Sequence, residues 1–268
     1  MSGDAVGGAD LVQVVRHETG VVEVVLDRPE ALNALSTELA ARLRDVLVEL
    51  CGDDRVRAVV LGSSQARAFC VGADLKQRNG FSDEQLRAQR VVYRAMGQAL
   101  YGMAMPVVAA VAGFALGGGL ELALLCDLVV VEPGALLGLP EVSVGVIPGL
   151  GGTQLLSRRV GLARASDLIF TARRLDGAEA VALGVADRLA EPGTVRAEAL
   201  ALATTIASHS LVAVRNAKRA LRLGYDVGVS AGFEIEDAAW RATAFSADRA
   251  EGVRAFVEKR RPDWPGTP

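Results

Sequence analysis

The stretch PVVAAVAGFALGGGLELALLCDLVVV, residues 106–131, decides the architecture. Two β-rich apolar runs, residues 107–111 and 127–131, flank the triple glycine Gly117, Gly118 and Gly119, which leads into Leu120 and Glu121. Short apolar runs bounded by Pro and Gly read as strands buried on both faces, as in a parallel sheet. The glycines between them read as a tight strand-to-helix turn. Residues 95–120 carry no charge, and that length suits a membrane span. However, Pro106, Gly113 and the triple glycine interrupt the stretch, and Glu121 follows at once. A helix end, a buried strand and a glycine turn are the expected content, with no membrane.

Outward from this stretch, strand and helix patterns alternate. Residues 11–16 and 21–26 are β-rich runs around a turn at Glu18, Thr19 and Gly20. Ser36 is placed to cap a helix running to about Glu49, whose Leu39, Leu43, Val46, Leu47 and Leu50 keep helical spacing. Residues 56–61 predict a further strand. Ser82 with Gln85, and Asp176 with Glu179, have the spacing of capping boxes, and Gly184 ends the second of those helices. From Val195 the β signal stops and helical patterns run over residues 200–206, 211–223, 235–244 (from Ile235) and 249–258. The expected organisation is a short N-terminal tail (1–10), an α/β core (11–194) and a C-terminal helical region (195–268).

Composition narrows the chemistry. The 268 residues are 51% hydrophobic and 23% charged, enough for a sizeable core and too apolar for disorder. A net charge of −3 argues against a general nucleic-acid or membrane-surface binder. Cys51, Cys70 and Cys126 form no C-x-x-C pair, and His17 and His209 form no ligand-spaced cluster. A disulfide framework, a metal site and a His-dependent triad are therefore disfavoured, and a reducing cytoplasm is the expected compartment. The first ten residues lack the charged and apolar segments of a leader peptide. Carboxylates and backbone dipoles are left to carry any catalysis.

Three segments contain suitable residues: 69–75 (FCVGADL), the Gly117–Gly119 turn with Glu121, and Pro140-Glu141 followed by the glycine-rich 145–153. Glycines let backbone N–H groups approach a ligand, and the start of a helix favours an anion there. The same glycines also serve a close-packed turn with no ligand. Their spacing is not G-x-G-x-x-G, and no G-K-[ST] follows, which excludes dinucleotide and P-loop fingerprints. Glu121 and Glu141 each sit among apolar residues, where burial raises a carboxyl pKa toward neutrality and suits acid–base work. The plainer alternative is a helix-start carboxylate and a surface loop glutamate.

Together with Leu26-Asp27-Arg28-Pro29, Asn33-Ala34-Leu35 and Phe256 to Arg260, these segments resemble the enoyl-CoA hydratase/isomerase (crotonase) family over nearly the whole chain. The resemblance implies a spiral of ββα units with a C-terminal helical trimerisation region, assembled as a homotrimer or a hexamer of two trimers. It implies an enoyl-CoA hydratase adding water to a trans-2-enoyl-CoA in fatty-acid or branched-chain acid breakdown. The oxyanion hole falls on the N–H groups of Ala73 and Gly118. The catalytic glutamates fall on Glu121 and, twenty residues on, Glu141. Ala31, Leu32, Ala68 and Leu75 match positions lining the coenzyme A channel, Lys76 a basic position near its phosphates, and Phe256 and Lys259 C-terminal positions reaching the nucleotide. Coenzyme A belongs to the substrate, so no cofactor is implied. The motifs look closest to the branch containing methylglutaconyl-CoA hydratase, one member of which binds RNA through a lysine-rich first helix. Here that helix mixes Arg42 and Arg44 with Glu38, Asp45 and Glu49, so no RNA binding is expected. The alternatives are an isomerase of the same family and a non-catalytic acyl-CoA or RNA-binding scaffold.

Overall fold

The computed structural model describes residues 11–266, so the tail read above at 1–10 lies outside them. In chain order the first half contains β1 (Val12–Arg16), β2 (Val21–Leu26), α1 (Thr37–Cys51), β3 (Ala58–Ser63), β4 (Ala68–Cys70), α2 (Leu75–Arg78), α3 (Asp83–Tyr101), β5 (Val107–Val111), β6 (Phe114–Leu116) and α4 (Gly118–Leu125). The second contains β7 (Leu128–Val131), β8 (Leu136–Gly138), α5 (Gly152–Val160), α6 (Leu162–Thr171), β9 (Leu175–Asp176), α7 (Gly177–Leu183), β10 (Arg188–Leu189), α8 (Val195–Ala207), α9 (Leu211–Gly224), α10 (Val229–Ala244) and α11 (Ala247–Val257). Two 3-10 turns, Pro29–Ala31 and Glu141–Val144, complete it.

The strands form a six-stranded sheet, β1-β2-β3-β5-β7-β10, and a four-stranded sheet, β4-β6-β8-β9. Apart from the antiparallel pairs β1/β2 and β8/β9, neighbours are parallel. The units β3–β4, β5–β6 and β7–β8 each place one strand in the large sheet, one in the small sheet, and then turn into helix. The chain thus winds as the expected spiral of ββα units, each advancing both sheets by one strand.

Period-two alternation divides the large sheet between two cores. Val22, Val24, Leu26, Val59, Leu61, Val107, Ala109, Val111, Val129 and Val131 face the main core with α1 and α4. Val21, Ala58, Val60, Val108, Ala110 and Val130 face the other way, where α8 covers them with Val195, Ala199, Leu202 and Ala203. Glu23 shares that second side and is 2% exposed. Arg196 of α8 (Nε to Oε2, 2.6 Å) neutralises it, and the His17 ring hydrogen-bonds to it (2.7 Å). On α1, Ser36 accepts the Leu39 N–H at the cap, and all five apolar residues identified by spacing are buried.

The uncharged stretch 95–120 holds the end of α3, all of β5 and β6, and the start of α4, so it is not one continuous helix. No single helix among the described residues is long and apolar enough to cross a membrane. Two local expectations need correction. The Ser82–Gln85 box forms in full, but at Asp176 only half forms: its side chain accepts the Glu179 N–H, while the Glu179 carboxylate is taken by Arg173. Also, α10 starts at Val229, six residues before the expected Ile235, because Gly232 hides the pattern.

Candidate active site

The site is built where the two sheets hand over to α4. Gly117 turns the corner with φ 54° and ψ −126°, which side chains disfavour. Gly72, at φ +88°, lies against this turn: a Cβ there would stand 2.7 Å from the Leu116 carbonyl oxygen and 3.1 Å from the Gly118 nitrogen. The segment 69–75 and the glycine turn therefore abut backbone to backbone. Leu35 clasps the segment from its other side, donating its N–H to the Gly72 carbonyl (2.7 Å) and accepting the Asp74 N–H (3.0 Å). Successive amides of an extended chain point to opposite sides, so the Ala73 N–H is directed away from Leu35. Gly118 opens α4, and an N–H in a helix's first turn has no intrahelical acceptor. The positive end of the α4 dipole adds to the field there.

Glu121 is three residues past Gly118, on the same helix face, and is 2% exposed. Its Oε1 accepts N–H bonds from Leu150 (2.6 Å) and Gly152 (2.7 Å) at the start of α5. Burial raises its pKa; those amides, the Gly149 amide and the Arg90 charge oppose the rise without cancelling it. Glu141 begins a 3-10 turn after Pro140, and a Cβ on Gly117 would stand 3.0 Å from its Oε1. Its Oε2 is buried and has no hydrogen-bond partner among the described residues. Burial pushes the Glu141 carboxyl up to about 7; its own backbone N–H opposes the rise and the Glu121 charge adds to it. The arrangement can hold a proton on one carboxyl and a proton acceptor on the other, beside outward-facing amide donors. Cys70 is not a competing nucleophile, since burial pushes its thiol up to about 12.

Several residues that sequence reasoning left without a role brace this backbone. Asp74 caps α2 by accepting the Gln77 N–H (3.0 Å) and pairs with Arg28 (2.7 Å), which also donates to the Ala34 carbonyl (2.9 Å). Burial works against the Asp74 charge, yet these partners outweigh it and hold its pKa below the usual carboxylate range. Asn33, with φ +56°, donates to Ser63 (2.8 Å) and to the Phe69 carbonyl (3.0 Å), and the Tyr93 hydroxyl donates to the Leu35 carbonyl. The only sequence signals were polar residues inside motifs, such as Asp74 in Gly72-Ala73-Asp74.

The residues matched to coenzyme A fall into two groups. Ala31 and Leu32 lie at the first 3-10 turn, where the Leu32 carbonyl accepts the Val71 N–H (3.3 Å). Ala68 is buried in β4, while Leu75 and Lys76 are exposed on α2. These five adjoin the Ala73 segment. Phe256 (85% exposed) lies in the last turn of α11 and Lys259 just past its end; α11 packs on α10 and is tied through Asp248 to Ser210. Among the described residues no hydrogen bond or ion pair joins the two groups. A wide cleft of about 630 Å³ lies between α9 and α10, lined by Leu221, Phe233 and Trp240, away from both glutamates. Its apolar lining suits packing rather than chemistry. Among the described residues no His, Cys, Asp and Glu cluster is arranged to hold a metal.

Comparison with known proteins identifies the family and matches the fold. The chain is 40% identical to the mouse enoyl-CoA hydratase domain-containing protein 2, mitochondrial, over 92% of this chain and 85% of that one. Its fold matches an enoyl-CoA hydratase from Bacillus anthracis with a TM-score of 0.93 at 37% identity, covering 96% of this chain and 99% of that one. An enoyl-CoA hydratase from Mycobacterium smegmatis matches with a TM-score of 0.89 at 32% identity, covering 95% and 98%. The enoyl-CoA hydratase/isomerase model matches residues 16–267, and the chain belongs to that family.

Proposed function

We propose that this protein is an enoyl-CoA hydratase adding water reversibly across the double bond of a trans-2-enoyl-CoA. The observation that carries the proposal is the pair Glu121 and Glu141, both with raised pKa, beside the Gly117–Gly118 turn. In this reading the thioester oxygen accepts the Ala73 and Gly118 N–H groups, which stabilise the enolate-like charge; one such donor is worth roughly 3 kcal/mol of barrier. Ionised Glu121 takes a proton from water as the water oxygen bonds to the β-carbon. The π electrons shift toward the α-carbon, where protonated Glu141 delivers its proton. The proton balance of the step leaves the two carboxyls exchanged in protonation, to be reset through solvent before the next turnover.

Ala31, Leu32, Ala68, Leu75 and Lys76 are proposed to carry coenzyme A, with Phe256 and Lys259 contributed by a neighbouring subunit. Exposed Leu221, Phe233, Trp240 and Phe245 along α9 and α10 support self-association as a trimer or a hexamer. Free thiols at all three cysteines suit a reducing, cytoplasmic setting. The test is a panel of enoyl-CoA thioesters (straight, branched and acidic) followed by loss of conjugated absorbance. Hydration supports the proposal. A shift of a 3-enoyl-CoA without uptake of labelled water assigns an isomerase instead, and coenzyme A binding without turnover assigns a scaffold.

A further inference from the structure

Arg90 lies on α3, and its side chain is exposed. Its Nη1 donates to the Gly149 carbonyl, and a Cβ built on Gly149 would stand 3.1 Å from that nitrogen. Gly149 C=O and Leu150 N–H belong to one planar peptide group. The far end of that group donates to Glu121 Oε1 at 2.6 Å. A guanidinium, one peptide and a carboxylate therefore stand in series, and each hydrogen bond in such a chain polarises the next. We propose that Arg90 is a positioning residue for the reaction, fixing and polarising the Gly149–Leu150 peptide that holds Glu121 toward water.

Other charges around Glu121 do not duplicate this role. From the 3-10 turn, Glu141 faces it with the opposite effect. On α5, Arg158 pairs with Asp226 and Arg159 with Asp187. On α3, the Tyr93 hydroxyl is committed to Leu35. From β4, Cys70 is a buried, neutral thiol behind Gly119. The Arg90 charge favours ionised Glu121, so its removal must favour the neutral acid and move the low-pH loss of activity to higher pH.

This inference rests on the hydratase reading, and the experiment separates the two. Wild type, Arg90→Met and Arg90→Lys are compared by the pH profile of kcat/KM on an enoyl-CoA and by thermal unfolding. The expected Arg90→Met result is an acid limb raised by about half to one pH unit, with kcat down about tenfold and KM within about twofold. Arg90→Lys, which keeps the charge, should return the limb at least halfway, and both variants should unfold near the wild-type temperature. An Arg90→Met profile superimposable on the wild type, or a lower rate with an unmoved acid limb, overturns the proposal. If the wild type hydrates no enoyl-CoA, the hydratase reading fails instead. Carbon NMR titration of the Glu121 carboxyl in wild type and Arg90→Met then still decides whether Arg90 acts on it.

Discussion

Gly72→Ala tests whether the two amide donors depend on the close approach of two backbones. Two costs can be separated. At φ +88° an L side chain is strained by roughly 1–2 kcal/mol. The new Cβ would also meet the Leu116 oxygen at 2.7 Å and the Gly118 nitrogen at 3.1 Å, both backbone atoms that cannot swing aside. Relief requires the segment 69–75 to move away from the glycine turn by several tenths of an ångström, taking the Ala73 N–H with it. Losing one donor to the developing charge costs about 2.7–4 kcal/mol, so kcat should fall about 10²–10³-fold. Gly193→Ala is the control: its φ is +79° and nothing lies within 4 Å of the added carbon. It should show the strain alone in urea unfolding, with kcat/KM within about twofold of wild type, as expected for a site remote from the chemistry. Wild-type turnover in Gly72→Ala would refute the account of the donor pair.

Further outcomes follow from the same geometry. Asp74→Asn weakens the bond to Arg28 that braces the donor segment, so steady-state kinetics should show kcat reduced about tenfold with little change in KM. Glu141 must be protonated to deliver its proton, so kcat/KM for hydration should fall as pH rises through about 7; because hydration takes up no net proton, kcat/KM for the reverse dehydration should fall in parallel over the same interval. Because folding raises that pKa, the wild type is stable at low pH and penalised as pH rises through the folded value. Glu141→Gln should therefore be more stable than wild type at pH 8 by on the order of 1–2 kcal/mol in urea titrations, a gain absent below the unfolded pKa. Lys218 bonds Asp127 at 2.6 Å and the Met105 carbonyl at 2.8 Å, tying α9 to the core. Lys218→Met should cost about 2–4 kcal/mol in denaturant unfolding, since the buried acceptors lose a charged donor.

What the sequence reveals here depends on the range of the interactions involved. Long elements such as α1 and β2 express their periodicity within a dozen residues, so both were legible. The small sheet was not: β4, β6, β8 and β9 span two or three residues each, too short for alternation to register. Glu121 and Glu141 stood out because a carboxylate in an apolar run demands a reason. The amide donors from Leu150 and Gly152 did not, because a glycine-rich loop gives no sign of the side chain it will cradle. Arg28 and Asp74 are 46 residues apart, and Arg90 and Gly149 are 59 apart; only the spiral winding brings such pairs together.

The most direct test of the two-carboxylate account is turnover of a trans-2-enoyl-CoA in labelled water by wild type, Glu121→Gln and Glu141→Gln. The wild type should incorporate solvent oxygen at the β-carbon and solvent hydrogen at the α-carbon. Each variant should lose on the order of 10²–10⁴ in kcat while keeping its fold and coenzyme A affinity. Wild-type turnover in either variant would contradict the account.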